Sequence, residues 1–298
     1  MSFSQDVKQE IAKKLPLRRK DRVSFLAAMF MQQGMRNSIT EKEASIWFVT
    51  EKSETAGICF TLLKKTFNIK IDCSSGNSHH SENMKLRIRG KEALELSEAV
   101  CLDGGYERLD LSDTDSRRNF IKGAFMCTGF LNDPKNSYHF EIVCQTREKA
   151  DFLARQMEYF DVRPGVICRK KHFVIYIKDG SKIVDMLGVM DAHIALMEME
   201  NSRILKGMRN SVNRRVNCET ANITKTVLSA RKQIEDIKYL QSTGKLKGLS
   251  PALRQMAELR LENPDLPLYE LGQLMNPPLG KSGVNHRLRK LGEIARRL

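Results

Sequence analysis

Apolar residues recur at three- and four-residue spacing through Val7, Ile11, Ala12 and Leu15, so residues 4–15 read as an amphipathic helix with Ser4 as cap and Pro16 as stop. A strongly apolar helix follows over 25–34 (FLAAMFMQQG), then a strand at 46–50, a helix at 54–67, strands at 69–73 and 85–89, and a helix at 91–101. Farther on, the pattern predicts a strand at 139–144, a helix at 147–159, strands at 165–169 and 173–177, and a helix at 181–187. Helical periodicity returns at 191–207, and again at 223–239 through Val227, Ala230, Ile234 and Ile237. The polar, basic stretch between them reads as a linker with some structure of its own.

The order repeats because the sequence repeats. Sliding residues 22–34 by 95 positions onto 117–129 matches Arg22, Phe25, Phe30, Met31 and Gly34 with Arg117, Phe120, Phe125, Met126 and Gly129. Each half therefore reads helix, strand, helix, strand, strand, helix, an α+β unit that pairs most simply with its copy. Ala27, Ala28 and Gly34 on one repeated helix, and Gly123, Ala124 and Gly129 on the other, are small enough for two backbones to approach closely. Pseudo-twofold packing of these helices is expected, with the two sheets forming a saddle on one side.

Residues 251–298 break differently. Asn263-Pro264 and Asn276-Pro277-Pro278 divide them into three short helices, with Ser282 placed to cap the third. Val284, Leu288 and Leu291 form one stripe of that helix, and His286 and Arg289 fall opposite it. Asn285, Lys290, Arg296 and Arg297 flank them, with Lys281 at the entrance. Three helices, a tight turn and a donor-rich last helix form the pattern of a helix-turn-helix whose final helix enters the major groove. His286 and Arg289 are then expected at base edges, with Lys281, Arg287 and Lys290 on phosphates.

Charge sharpens this picture. Residues 203–298 hold 19 basic against 8 acidic residues, whereas residues 1–202 are nearly balanced at 31 against 28. A polyanion is the expected partner, double-stranded DNA before membrane, because no basic segment carries a Trp/Phe-rich apolar face. The seven cysteines include no CxxC pair, which fits a reducing cytoplasm, and no stretch is apolar enough to span a bilayer.

The helices FLAAMFMQQG and FIKGAFMCTG look like degenerate LAGLIDADG motifs, the paired helices at the centre of homing endonucleases. Joined to a terminal helix-turn-helix ending KSGVNHRLRKL, and with the opening MSFSQDVKQEIAKK, the chain resembles the WhiA family of bacterial transcription regulators. The resemblance implies an α+β fold of two pseudo-symmetric αββ-type repeats followed by an all-α helix-turn-helix domain. It divides the chain into an N-terminal helix and basic arm at 1–20, a repeat domain at 21–200, a linker at 201–221 and a DNA-binding domain at 222–298. The repeats lie at about 21–102 and 115–190, and the core of the DNA-binding domain at 250–292. It further implies a nucleoid-associated, cytoplasmic regulator of cell division, chromosome segregation or sporulation in a Gram-positive bacterium. Partners would be DNA and a second copy or other transcription factors.

Active endonucleases of the resembling fold carry an acid before the final glycine of each motif, and the pair holds divalent metal. Gln33 and Thr128 stand there instead. Neither supplies the charge that Mg²⁺ requires between protein and phosphate, so binding without cutting is expected, with no cofactor. An endonuclease taking acids from elsewhere, such as Asp133 or Glu141, and a scaffold with nonspecific nucleoid affinity are the alternatives. Gly280-Lys281-Ser282 ends like a phosphate-binding loop, but Met275 stands where its first glycine belongs. His79 and His80 near Cys73 lack metal-ligand spacing, and His139 and His172 fit structural roles beside strands. Ser282 and Asn285 complete the set of expected DNA-contacting residues.

Overall fold

Ser2, not Ser4, opens the first helix of the computed structural model, which describes residues 2–37, 44–78 and 81–297. Helix α1 (Phe3–Lys13) begins with a capping box: the Gln5 amide donates to Ser2 Oγ at 3.4 Å, and the Ser2 amide to Gln5 Oε1 at 3.0 Å. Ser4 lies two residues too far inside. It is buried beneath the helix, where its hydroxyl accepts from the Leu131 amide at 3.2 Å. The same face buries Phe3, Val7 and Ile11.

Two units divide the chain, Met1–Lys206 and Gly207–Leu298. In the first, α2 (Arg19–Gln33), β1 (Gly34–Asn37), β2 (Ser45–Thr50), α3 (Ser53–Phe67), β3 (Asp72–Ser78), β4 (Ser81–Arg89) and α4 (Lys91–Ala99) form the first repeat. The second runs through α5 (Thr114–Thr128), β5 (Gly129–Leu131), β6 (Phe140–Cys144), α6 (Arg147–Glu158), β7 (Gly165–Arg169), β8 (His172–Ile177) and α7 (Gly180–Val189). Each repeat folds an antiparallel four-stranded sheet, in the orders β1-β2-β4-β3 and β5-β6-β8-β7. Strands β1 and β5 are additions to the expected pattern. Each leaves its helix directly at a glycine, with no turn residues to announce it.

Those two glycines are equivalent across the repeat. The Gly34 amide caps α2 on the Phe30 carbonyl and the Gly129 amide caps α5 on that of Phe125, both in extended backbone. A Cβ at either position would collide with the carbonyl and ring of that same phenylalanine. The rings are already committed, Phe30 to Phe48 at 5.5 Å and Phe125 to Phe140 at 5.2 Å. Helices α2 and α5 also pack on each other as the small residues require. A Cβ at Gly123 would overlap the Phe25 carbonyl oxygen and lie 3.1 Å from the Ala28 Cβ.

Arg18 and Lys20, read as part of a basic arm, are ion-paired within the unit. Arg18 Nε meets Asp21 at 2.6 Å and its Nη2 meets Asp115 at 3.1 Å, while Lys20 reaches Asp110 at 2.8 Å and Asp113 at 2.9 Å. These partners hold the Asp110 and Asp113 carboxyls below the usual carboxylate range, Lys20 leading for Asp110 and the Ser116 amide for Asp113. The run joins the starts of α2 and α5 and is not a free arm.

Residues 201–221, expected as linker, are helical throughout, inside α8 (His193–Ser242). The reason is compositional: from 193 to 242 the chain has no proline and one glycine, Gly207, costing about 1 kcal/mol. Polarity alone does not stop a helix. The second unit completes its core with α9 (Pro251–Glu262), α10 (Leu268–Gln273) and α11 (Lys281–Arg296). Ile237, Leu240, Met256, Leu271, Val284, Leu288 and Leu291 are buried there. Arg260 is buried among them, donating from Nε to Gln233 Oε1 at 3.1 Å and from Nη1 to the Leu266 carbonyl at 2.7 Å.

Candidate nucleic-acid interface

The stripe predicted on α11 sets which side chains face outward. Val284, Leu288 and Leu291 are buried with Gly292 and Ala295, which leaves Lys281, Ser282, Asn285, His286, Arg289 and Lys290 exposed and Arg287 half-buried. Ser282 is not the cap. The helix starts one residue earlier, and Gly280 caps it through its carbonyl, which accepts from the Gly283 amide at 2.9 Å and the Val284 amide at 3.2 Å. Extended backbone at Gly280 already presents that carbonyl to the first turn, so the Ser282 side chain is not used as a cap and lies on the exposed face.

The connection before this helix is longer than a tight turn, residues 274–280. It is drawn in at Gly272, whose carbonyl accepts from the Leu279 amide at 2.9 Å. Any side chain at 272 would strike the Leu279 carbonyl, so glycine sets how closely α10 approaches the start of α11. Arg289 Nε lies 3.4 Å from Glu293, a pair open to solvent on both sides. Lys281, Arg287 and Lys290 have no ion pair among the described residues. Exposed basic groups without carboxylate partners keep their full attraction for phosphate.

The sheets offer less. Arg87, Arg89 and Lys178, basic residues on or beside the sheets, are engaged within the chain. Arg87 stacks 4.4 Å from Trp47, Arg89 pairs with Asp72 at 3.0 Å and Lys178 lies 5.4 Å from Tyr176. The partners of Arg87 and Arg89 sit across strands, in registers that spacing along one strand does not reveal, whereas Tyr176 lies two residues before Lys178 in the same stretch of chain.

Gln33 and Thr128 end α2 and α5, half-buried, with Gln33 Oε1 and Thr128 Oγ1 lacking hydrogen-bond partners among the described residues. Asp133 Oδ1 accepts from the Lys135 amide at 2.8 Å in a turn, and Glu141 is held by His139 Nε2 at 2.9 Å with Arg169 at 3.7 Å. No group of three or more His, Cys, Asp or Glu suited to a metal occurs among the described residues. His79 and His80 lie outside them. No helix among the described residues is long and apolar enough to cross a membrane.

Comparison with known proteins covers both units. A family model described as the WhiA C-terminal HTH domain matches residues 212–295, and one described as the WhiA LAGLIDADG-like domain matches 117–209. "Probable cell division protein WhiA" of Lachnoclostridium phytofermentans is 41% identical over 99% of this chain and 98% of its own. Its namesake in Thermoanaerobacter pseudethanolicus is 38% identical over 100% and 98%. The crystal structure of full-length DUF199/WhiA from Thermatoga maritima shares the fold, with a TM-score of 0.62 at 23% identity over 100% of this chain and 99% of that one. With two family models side by side along the chain and relatives aligned over nearly its whole length, this protein belongs to the WhiA family.

Proposed function

We propose that this protein is a sequence-specific, double-stranded-DNA-binding transcription regulator whose α11 reads the major groove. The observation that carries the reading is the division of α11 into a buried apolar stripe and an exposed face of Asn285, His286, Arg289 and Lys290. A helix anchored by one face against its own unit presents the other at fixed orientation, as base recognition demands. His286 and Arg289 contact base edges; Lys281, Ser282, Arg287 and Lys290 contact phosphates. The names of the relatives support a role in cell division, and the resemblance extends this to chromosome segregation or sporulation in a Gram-positive bacterium. The domains act as 1–20, 21–200, 201–221 and 222–298, with residues 201–221 a helical connection.

The repeat domain binds or senses and does not cut. Gln33 and Thr128 support this, as does the engagement of Glu141 with His139 and Arg169. Mapping bound DNA across a genome is expected to give discrete sites sharing one motif, and plasmid with the protein and Mg²⁺ or Mn²⁺ is expected to stay supercoiled. Binding without sequence preference would replace this reading with a nucleoid scaffold. Metal-dependent nicking abolished by changing Asp133 or Glu141 would replace it with an endonuclease.

A further inference from the structure

Lys8 is a buried charge that the fold does not explain. It lies on α1 at 5% exposure, and its ammonium has no hydrogen-bond acceptor among the described residues. Its neighbours are the Phe125 ring, 5.4 Å away, and the side chain of Lys52. Burial, then the like charge of Lys52, lowers its pKa to about 7. Cys127 borders both lysines and offers no compensating charge, since burial holds its thiol protonated up to about 12.

Lys52 is also the N-cap of α3, and no side chain caps that helix. The first-turn amides of this 15-residue helix thus lack a side-chain acceptor at the end where Lys52 meets Lys8. Gln9 Nε2 on α1 reaches Glu54 Oε1 in that turn at 3.4 Å, tying α1 to this end of α3. Glu54 is exposed and leaves the buried Lys8 ammonium without a partner. Two ammoniums and an uncapped helix start are complementary to one tetrahedral oxyanion.

We propose that Lys8, Lys52 and the first-turn amides of α3 form a phosphate-binding site beside the C-terminal end of α5. The site has the opposite polarity to the acid pair that Gln33 and Thr128 replace. Its phosphate comes either from the backbone of bound DNA or from a free phosphate ester, both presenting the same oxyanion.

Titration of the full chain with inorganic phosphate, against chloride at equal ionic strength, tests this by calorimetry and thermal unfolding. Phosphate is expected to bind and to raise the unfolding temperature. Lys8→Met and Lys52→Ala are each expected to weaken binding by about tenfold or more, the scale of one lost charge-assisted contact. Lys52 is exposed, so its variant keeps the fold even if that of Lys8 does not. Loss of phosphate binding in the presence of saturating duplex DNA assigns the site to a backbone phosphate; unchanged binding assigns it to a free ester. Absence of phosphate-specific binding, or binding in both variants as tight as in the unmutated protein, overturns the site and places any retained ion on the basic second unit.

Discussion

Gly123 of α5 lies so close to the Phe25 carbonyl of α2 that no side chain fits between them. The atom in the way is backbone, which cannot swing aside, so even one methyl group must push the helices apart. Gly123→Ala is expected to destabilise the protein by about 1–3 kcal/mol, the usual range for overpacking. Gly57, within α3, has open space around it. Gly57→Ala should be neutral or stabilising by roughly 0.5–1 kcal/mol. Urea midpoints of the two variants check both, and equal effects would refute the contact.

Arg289 and the lysines of α11 should fail in different ways. Arg289→Ala is expected to cost about 1–3 kcal/mol on the preferred site and to flatten discrimination between sequences. Lys281→Ala and Lys290→Ala should weaken all sequences alike and lower the salt slope by about one each. Glu293→Gln, which frees Arg289 from its 3.4 Å partner, should strengthen binding slightly. Anisotropy at several salt concentrations separates these outcomes. An Arg289 variant equally weakened on specific and random DNA would be a phosphate contact instead.

Separated fragments should divide affinity as they divide charge. A fragment starting near residue 220 is expected to keep a substantial part of DNA binding, because it retains the core around Val284, Leu288 and Leu291. One ending near residue 200 should bind weakly, its Arg18 and Lys20 being already paired with aspartates. Tight binding by the latter, measured at two salt concentrations, would reverse the assignment.

Buried ionisable groups predict how stability follows pH. The Lys8 ammonium loses its proton near pH 7 when folded, whereas an unfolded lysine keeps it to about 10.5. Between these values the unfolded state binds more protons, so stability rises with pH. Buried cysteines act in the other sense: Cys127 keeps its proton to about 12 and Cys59 is also raised, while an unfolded thiol ionises near 9.0. Above that value stability falls. A maximum near pH 9 is expected in urea titrations, and Lys8→Met should remove the rise from pH 7 upward; an unaltered rise would count against a buried neutral lysine.

Much of this was legible because the repeat and the prolines are strong local signals. Phe25, Phe30 and Gly34 aligned with their copies, and the stripe on α11 gave its orientation directly. Strand β3 was placed three residues early because DCSSGNS has no apolar alternation; it is fixed by pairing with β4, Asp72 opposite Arg87 and Ser78 opposite Ser81. The cap at Ser4 was misassigned because a buried serine and a capping serine look alike until Leu131 is brought to it from the far repeat. The lysine pair at 8 and 52 was missed for the same cause, being 44 residues apart and joined only by the packing of α1 on α3.

Both sheets are open, so each has two outermost strands, of which β5 is partly covered by α1 through the Leu131 amide on Ser4 Oγ. Two are too short to template another chain, β1 with four residues and β5 with three. The others are β3, whose sequence is almost wholly polar, and β7, which ends in an exposed arginine, Arg169. The polar border β3 is a poor seed for strand addition between molecules, whereas β7 relies on its short length and on Arg169 near the exposed Ile167. The same polarity that hides β3 from a hydrophobic pattern thus protects this border from aggregation, and valines at its exposed positions 73–75 would make an adhesive margin without touching the core.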